Sequence, residues 1–500
     1  MLDESNLHRQ SLLSFVSVAV IALLGFVAVI FFAQYLGAEL MGVYYLFFTY
    51  LAIFELIGNG GVGSVAQKVS SGVDSAVQKF VAEGENEQNE YFSAYLVIRL
   101  GFTVIATCLM LGFSGLVEEF STYQLTAFLV LALLAGAFSG MMTSGIRAKR
   151  KISWYSVANL LSQIVYYVVA VVLLVLGFSL GGIFTGYVVG LVLLGVLALF
   201  VFRYRICKFT KKHFVDILSY SVWSIIIGGI AVIMSATDTF LLNMYDGNSA
   251  VGIYRVALHV TLIALLSVNA VNIAISPKMS RAFGDGNLEE ISSLAKNAIT
   301  YGLMLAIPAL VGGALIGDGL LYAFYGSEFV SGIWSMVVLF LYQCLYVILS
   351  VCMIVFENIR KIRISCIILL IGFVINFVLD LVLIPVIGML GASLASLVAV
   401  VFNVIVCVLI LRKYVAVPVD TRRFMNILSS SIGMAVVVGV IRFLFGWFGV
   451  SISLLTVLVL VFAGAVTYFI LLCALDKEVL SFVNMLISKV SKRKHLNRFE

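Results

Sequence analysis

Residues 234–260 read MSATDTFLLNMYDGNSAVGIYRVALHV, and three ionisable side chains stand in this apolar setting: Asp238, Arg255 and His259. Asp238 lies about five residues inside the end of one apolar run, and Arg255 a few residues inside the start of the next. At about 1.5 Å of rise per residue the two reach a similar depth. The link between them is short, so the helices are antiparallel neighbours. The carboxylate and guanidinium can then pair, which relieves much of the cost of burying either alone. An arginine facing a cavity would instead offer its fork of donors to a phosphate or a sugar hydroxyl. The pair has two readings: a pin between helices, or part of a binding surface.

Other polar groups are spaced for a similar purpose. On a regular helix Arg255, His259 and Asn269 fall within an arc of roughly 80°, and Tyr44, Glu55 and Asn59 within about 60° on an earlier helix. Glu55 sits near the middle of its run without a cationic neighbour in sequence. It is a candidate proton or cation site, or else a structural hydrogen-bonding group. Asn376 and Asp380 stand four apart before LVLIP, where they either line an outer cleft or satisfy backbone near a helix end. Arg99 lies about 9 Å from the end of its helix, within reach of the surface by snorkelling or of a ligand. Arg442 is expected to touch lipid headgroups. Asn243 and Gln163 are weaker candidates.

The elements that must hold these groups follow from composition. Of 500 residues 62% are hydrophobic and 11% charged, with mean hydropathy +1.14. A soluble domain has no use for so much apolar surface. Fourteen apolar runs recur at approximately 11–33, 43–63, 94–117, 124–145, 156–176, 182–202, 217–243, 252–276, 298–317, 331–356, 364–384, 390–411, 424–445 and 453–474. About 20 apolar residues cross the hydrocarbon as a helix, so the chain reads as an all-α polytopic membrane protein. A β-barrel is excluded, because its strands would alternate and be half as long. The first run is too long for a signal-peptide core and is read as retained. The seven cysteines mostly lie within the runs and read as small apolar residues.

Charge gives the orientation. With the amino terminus inside, one set of loops carries Arg147, Lys149, Arg150, Lys151, Arg203, Arg205, Lys208, Arg360, Lys361, Arg363, Arg412 and Lys413, among others. The opposite loops carry Glu39, Glu118, Glu119, Asp246, Asp318 and Glu328 and no Lys or Arg. This is the positive-inside pattern, with both termini cytoplasmic in the cell membrane. The net charge of +6 then reflects topology and contact with anionic inner-leaflet lipid. Nucleic-acid binding is excluded on the same ground. The tail, residues 475–500, has the period of an amphipathic surface helix ending in a basic cluster.

The chain also repeats itself. At an offset of 210, Gly37, Gly42, Tyr44, Asn59, Lys68 and Ser70 match Gly247, Gly252, Tyr254, Asn269, Lys278 and Ser280. Gly177 and Gly181 face Gly388 and Gly391 at offsets of 211 and 210. The unit is six helices, an even number, so the copies are parallel, and two such lobes enclose a central cavity suited to alternating access. The expected domains are 1–215 (helices 1–6), 216–412 (helices 7–12), 413–474 (helices 13 and 14) and the tail. Gly37 and Gly247 open tight external turns that tolerate positive φ. The two polar stripes occupy helices that correspond in the repeat, and so read as lining one shared cavity.

The segments FFAQYLGAELMGVYYL, TDTFLLNMYDGNSAVGIYRVAL with SPKMSRAF after it, and INFVLDLVLIPVIGMLGASLAS resemble the multidrug/oligosaccharidyl-lipid/polysaccharide (MOP) exporter superfamily, and most nearly its Wzx-like flippase branch. The resemblance covers essentially the whole chain. It implies movement of a polyprenyl- or dolichyl-linked oligosaccharide from the cytoplasmic to the outer leaflet, with glycan-assembly proteins as possible partners. Under it, Arg255, His259, Asp238, Asn269, Tyr44, Asn59, Arg99, Asp380 and Asn376 are expected around the substrate, and helices 13 and 14 as a groove for the lipid tail. A small-molecule or drug antiporter of the same superfamily is the alternative. A membrane-embedded polymerase or glycosyltransferase would want a large external loop, which is missing. There is no nucleotide-binding G-x-x-x-x-G-K-[ST] loop and no metal-ligand cluster or nucleophile-plus-base arrangement. The chain is accordingly expected to be no enzyme and to need no cofactor.

Overall fold

The computed structural model describes residues 4–59, 88–115, 122–148, 152–201, 205–415, 420–451 and 453–476, with the side chains of 4–15, 148, 152, 220–228, 230, 231, 234, 269, 270 and 273 left aside. Most of the long polar loop, the loop with Glu118 and Glu119, and the expected amphipathic tail lie outside these residues. Twelve α-helices are present among them: α1 (Glu4–Gly58), α2 (Gln88–Ser114), α3 (Leu125–Ala148), α4 (Ile152–Leu173), α5 (Ser179–Val201), α6 (Lys211–Thr261), α7 (Leu266–Gly284), α8 (Leu288–Tyr325), α9 (Ile333–Asn358), α10 (Ile362–Leu411), α11 (Thr421–Trp447) and α12 (Leu454–Leu475).

Three of these helices are double. Gly37 in α1 and Gly247 in α6 take φ of 71° and 78°, and Gly388 in α10 takes φ of 56°. These are left-handed values that break the helix and that glycine adopts without a Cβ penalty. The break in α1 turns the chain back on itself. The rings of Phe32 and Tyr44 approach to 6.0 Å across it, where a straight helix would hold them about 18 Å apart. The second arm of α6 passes through a 3₁₀ turn, Leu262–Leu265, into α7. Twelve helices, three breaks and that one junction give fourteen arms, the number expected from the apolar runs. Eleven stretches are long and apolar enough to cross a membrane, and two of them, Val16–Gly58 and Ser153–Val201, have 43 and 49 residues, enough for two crossings each.

The α4–α5 and α10 hairpins close tightly at equivalent points. Ser179 has φ 45° and ψ −135°, and Gly388 has φ 56° and ψ −136°. A Cβ on Gly182 would lie 2.8 Å from the Leu173 Cβ, and one on Gly391 would lie 2.6 Å from the Leu383 carbonyl carbon. The expected pairing is corrected by this geometry: Ser179 answers Gly388 and Gly182 answers Gly391, at an offset of 209. Gly181 faces Phe128 instead. Small residues let these arms approach closely, as helices in lipid do.

The chain divides into two compact units, Met1–Gly252 and Ile253–Glu500. The boundary falls later than the sequence repeat because the first arm of α6 packs along α1, with Tyr50 and Phe240 rings 4.9 Å apart. The linker before α6 is tied to α2. The Cys207 amide donates to Ser93 Oγ at 3.0 Å, and the Arg205 amide to Asn89 Oδ1 at 3.1 Å. In the second unit, α11 and α12 form a hairpin laid against α8. Lys296 meets Asp420 at 3.5 Å, the Tyr468 hydroxyl donates to the Met304 carbonyl at 2.7 Å, and Arg442 meets Asp318 at 2.6 Å. Outward faces are apolar, with Val104, Leu176 and Phe462 exposed, and Trp334, Trp447 and Phe448 stand exposed at helix ends, the usual place of aromatics at a membrane interface.

Candidate functional site

In the first unit, α1, α2 and α3 bring a polar cluster together. Helix 38–58 is unbroken, so Tyr44, Glu55 and Asn59 keep their common face, and all three are buried. Glu55 fits because position 136 is glycine: a Cβ there would lie 2.8 Å from Glu55 Oε1. Arg99 is 3% exposed. Its guanidinium does not snorkel but turns inward and donates to the Gly58 carbonyl at 3.0 Å. That carbonyl is one of the last in its helix and has no intrahelical partner, which makes it a good acceptor for a buried cation. Thr103, one turn on, returns its hydroxyl to the Arg99 carbonyl at 2.8 Å.

Aromatic groups border this cluster. Tyr44 packs edge-on against Tyr45 and Phe48 at 5.1 and 4.9 Å. Phe48 and Tyr166 both meet Tyr187, at 5.0 and 5.5 Å. Spacing within one helix does not reveal this assembly, because its members come from α1, α4 and α5.

Asp238 is half-buried in the first unit, while Arg255 and His259 are half-buried in the second. The side chain of Asn269 lies outside the described residues. The regular-helix arc for Arg255, His259 and Asn269 is corrected by the 3₁₀ turn Leu262–Leu265. Four residues turning about 120° rather than 100° each displace everything beyond it by about 80°.

Asn376 and Asp380 are brought together inside the α10 hairpin, 4% and 0% exposed. The Asn376 amide donates to Ser396 Oγ at 3.4 Å. Farther along the same hairpin Asn403 fills the space left by Gly372. Arg442, expected among headgroups, is corrected to a structural role: it donates to the Leu315 carbonyl and pairs with Asp318, holding α11 to α8.

Sequence reasoning missed a polar ladder in the second unit. Gln343 donates to Thr261 at 3.3 Å, Asn272 to Ser350 at 3.4 Å, and Asn358 to Ser276 at 3.4 Å. Ser280 donates to Asn358 at 2.5 Å. Positions 343, 350 and 358 recur about every two turns of α9, and that period was the available signal. It also missed His213, which is 3% exposed and 3.2 Å from Glu90. Its Nδ1 accepts the Thr210 amide at 3.2 Å, capping the start of α6. The seven cysteines are free.

Comparison with known proteins places this architecture. A model of the family described as polysaccharide biosynthesis protein matches residues 7–283, more than half of the chain, and a MatE model matches residues 224–382. The chain is 24% identical over 471 residues to the probable low-salt glycan biosynthesis flippase Agl15 of Haloferax volcanii, covering 93% of this chain and 95% of that protein. It is 22% identical over 492 residues to the probable flippase AglR of the same organism, covering 97% and 99%. Among solved structures, lipid II flippase MurJ in an inward closed conformation aligns with TM-score 0.73 and 17% identity over 94% of this chain and all of that one. An inward-facing multidrug resistance MATE family transporter aligns with TM-score 0.61 and 15% identity over 81% of this chain and all of that one. The chain belongs to the polysaccharide biosynthesis protein family, the Wzx-like branch of the MOP superfamily.

Proposed function

We propose that this protein is a flippase for a lipid-linked glycan. Its cargo is an oligosaccharide on a polyprenyl or dolichyl phosphate or diphosphate, carried from the cytoplasmic to the outer leaflet by alternating access. The observation that carries this reading is similarity over nearly the whole chain to two proteins named as flippases, one of them for glycan biosynthesis. The chemistry is compatible. Arg255 supplies a fork of donors for phosphate. Asp238, His259, Asn269, Tyr44, Asn59, Arg99, Asn376 and Asp380 supply polar groups for sugar or for the helices that carry them. Glu55 is the candidate proton or cation site. The hairpin of α11 and α12, clasped to α8, is the place for the lipid tail. Both termini are cytoplasmic in this reading, and the proteins that assemble the glycan are its natural partners.

Deleting the gene should abolish surface glycan while the lipid-linked form accumulates inside. Arg255→Ala at normal protein level should reproduce that loss, and full export by this variant would remove Arg255 from the cargo site. The MatE match over residues 224–382 favours a second reading, a cation-coupled exporter of small molecules. Unchanged surface glycan with altered drug tolerance in the deletion strain would select it.

A further inference from the structure

A small cavity lies within the second unit, where the ends of α8, α11 and α12 converge. Its volume is about 150 Å³, below the roughly 300–1,000 Å³ of a pocket for a drug-sized molecule. Ile316, Val457 and Leu460 give it a buried apolar floor, and Asp318, Arg442 and Ser451 add polar groups to its lining. Gly446, Val450 and Ser451 are exposed and form its mouth. Beside it Phe443 and Trp447 stand exposed with ring centroids 6.3 Å apart. Exposed aromatic residues at helix ends gather at the depth of lipid headgroups.

Clasping α11 to α8 uses only part of what the ion pair can bond. Arg442 gives one N–H to the Leu315 carbonyl and one to Asp318 Oδ2. That leaves three of the five N–H groups of a guanidinium. Asp318 Oδ1 has no protein partner among the described residues. The cavity therefore holds a cation and an anion side by side, each with bonding sites to spare and with charges that cancel. A simple anion would be drawn to Arg442 and repelled by Asp318, and a simple cation the reverse. A zwitterion with its two charges a few atoms apart meets neither repulsion, and such matching of charge sets specificity. Its phosphate takes the fork of Arg442 and its ammonium the spare oxygen of Asp318. Its chains leave along apolar faces, where Phe443, Leu455 and Phe462 are exposed.

We infer that this cavity binds the headgroup of a resident phospholipid, one that carries a primary ammonium beside its phosphodiester. Such a lipid wedges the α11–α12 hairpin against α8 whatever cargo the protein carries. Dioctanoyl phosphatidylethanolamine should raise the unfolding midpoint of the purified full chain in detergent by a few degrees, as a ligand of the folded state does. Phosphatidylcholine of the same chains, whose nitrogen donates no hydrogen bond, should give less than half that shift. So should phosphatidylglycerol, which has no ammonium, and inorganic phosphate should give none. No shift from the ethanolamine lipid, equal shifts from all three lipids, or a full shift from inorganic phosphate would each overturn the proposal. Gly446 lies one turn from Arg442 in the cavity wall, and a Cβ there meets nothing within 4 Å. Gly446→Leu therefore fills the mouth without straining the fold. It should keep the lipid-free midpoint and lose the ethanolamine-lipid shift, while Gly439→Leu, equally unobstructed, should retain it. A shift that survives Gly446→Leu places the lipid elsewhere and sinks the site. Asp318→Asn should reverse the preference, with phosphatidylglycerol now stabilising more than phosphatidylethanolamine. An unchanged order in that variant would deny Asp318 any contact with the ammonium and overturn the zwitterion reading.

Discussion

At the scale of single residues, the buried charges of the first unit answer to their neighbours on other helices. Glu55 is accommodated by an absent side chain at Gly136, and Arg99 by a carbonyl at the end of α1. Neither partner is visible from spacing along one helix, which is why depth alone pointed Arg99 toward the surface. Arg99→Met should lower the stability of the detergent-solubilised protein by about 2 kcal/mol, the usual size for a hydrogen bond from a charged donor that leaves its acceptor buried. Thermal unfolding reads this directly, and an unchanged midpoint would dismiss the contact. Glu55 separates its two roles by substitution. Glu55→Gln keeps the volume and most hydrogen bonds but cannot titrate. If Glu55 couples an ion, glycan export by this variant should lose its dependence on pH, whereas a purely structural carboxyl would leave the pH profile in place.

At the scale of elements, the hairpin glycines were legible because a tight turn between apolar runs has few solutions. The α11–α12 hairpin was legible as two spans, but its clasp on α8 was not, because Lys296, Met304 and Asp318 are remote in sequence from Asp420, Tyr468 and Arg442. Asp420 shows how such an end is secured. Its side chain caps α11 by accepting the Arg423 amide at 3.1 Å. That hydrogen bond first, then Lys296 and Arg423, holds its carboxyl below the usual value of 3.8. A lowered folded-state pKa means its contribution is complete above about pH 4 and is lost as pH falls through the lower folded value. Asp420→Ala should therefore cost about 1 kcal/mol at pH 7, typical of a lost N-cap. Below the folded value, wild type and variant should converge. Persistent difference in acid would place the effect elsewhere than the ionised cap.

At the scale of the whole molecule, fourteen arms follow one another among the described residues, and the charges sort with their alternation. Arg147, Lys296, Arg360, Lys361, Arg363 and Arg412 lie at one set of helix ends, and Glu39, Asp246, Asp318 and Glu328 at the other. The breaks at Gly37 and Gly247 were legible through the matching glycines and tyrosines of the sequence. The division at Gly252 was not, because it depends on Tyr50 meeting Phe240. Orientation follows from the cost of moving cations outward across the bilayer during insertion, a cost that carboxylates share only weakly. The basic ends should then face the cytoplasm. Asp246 and Glu289 are exposed and lie at opposite ends of their arms. Asp246→Cys should react with an impermeant maleimide on intact cells, and Glu289→Cys only after the membrane is opened. The reverse pattern would invert the topology, and with it the direction in which the cargo is carried.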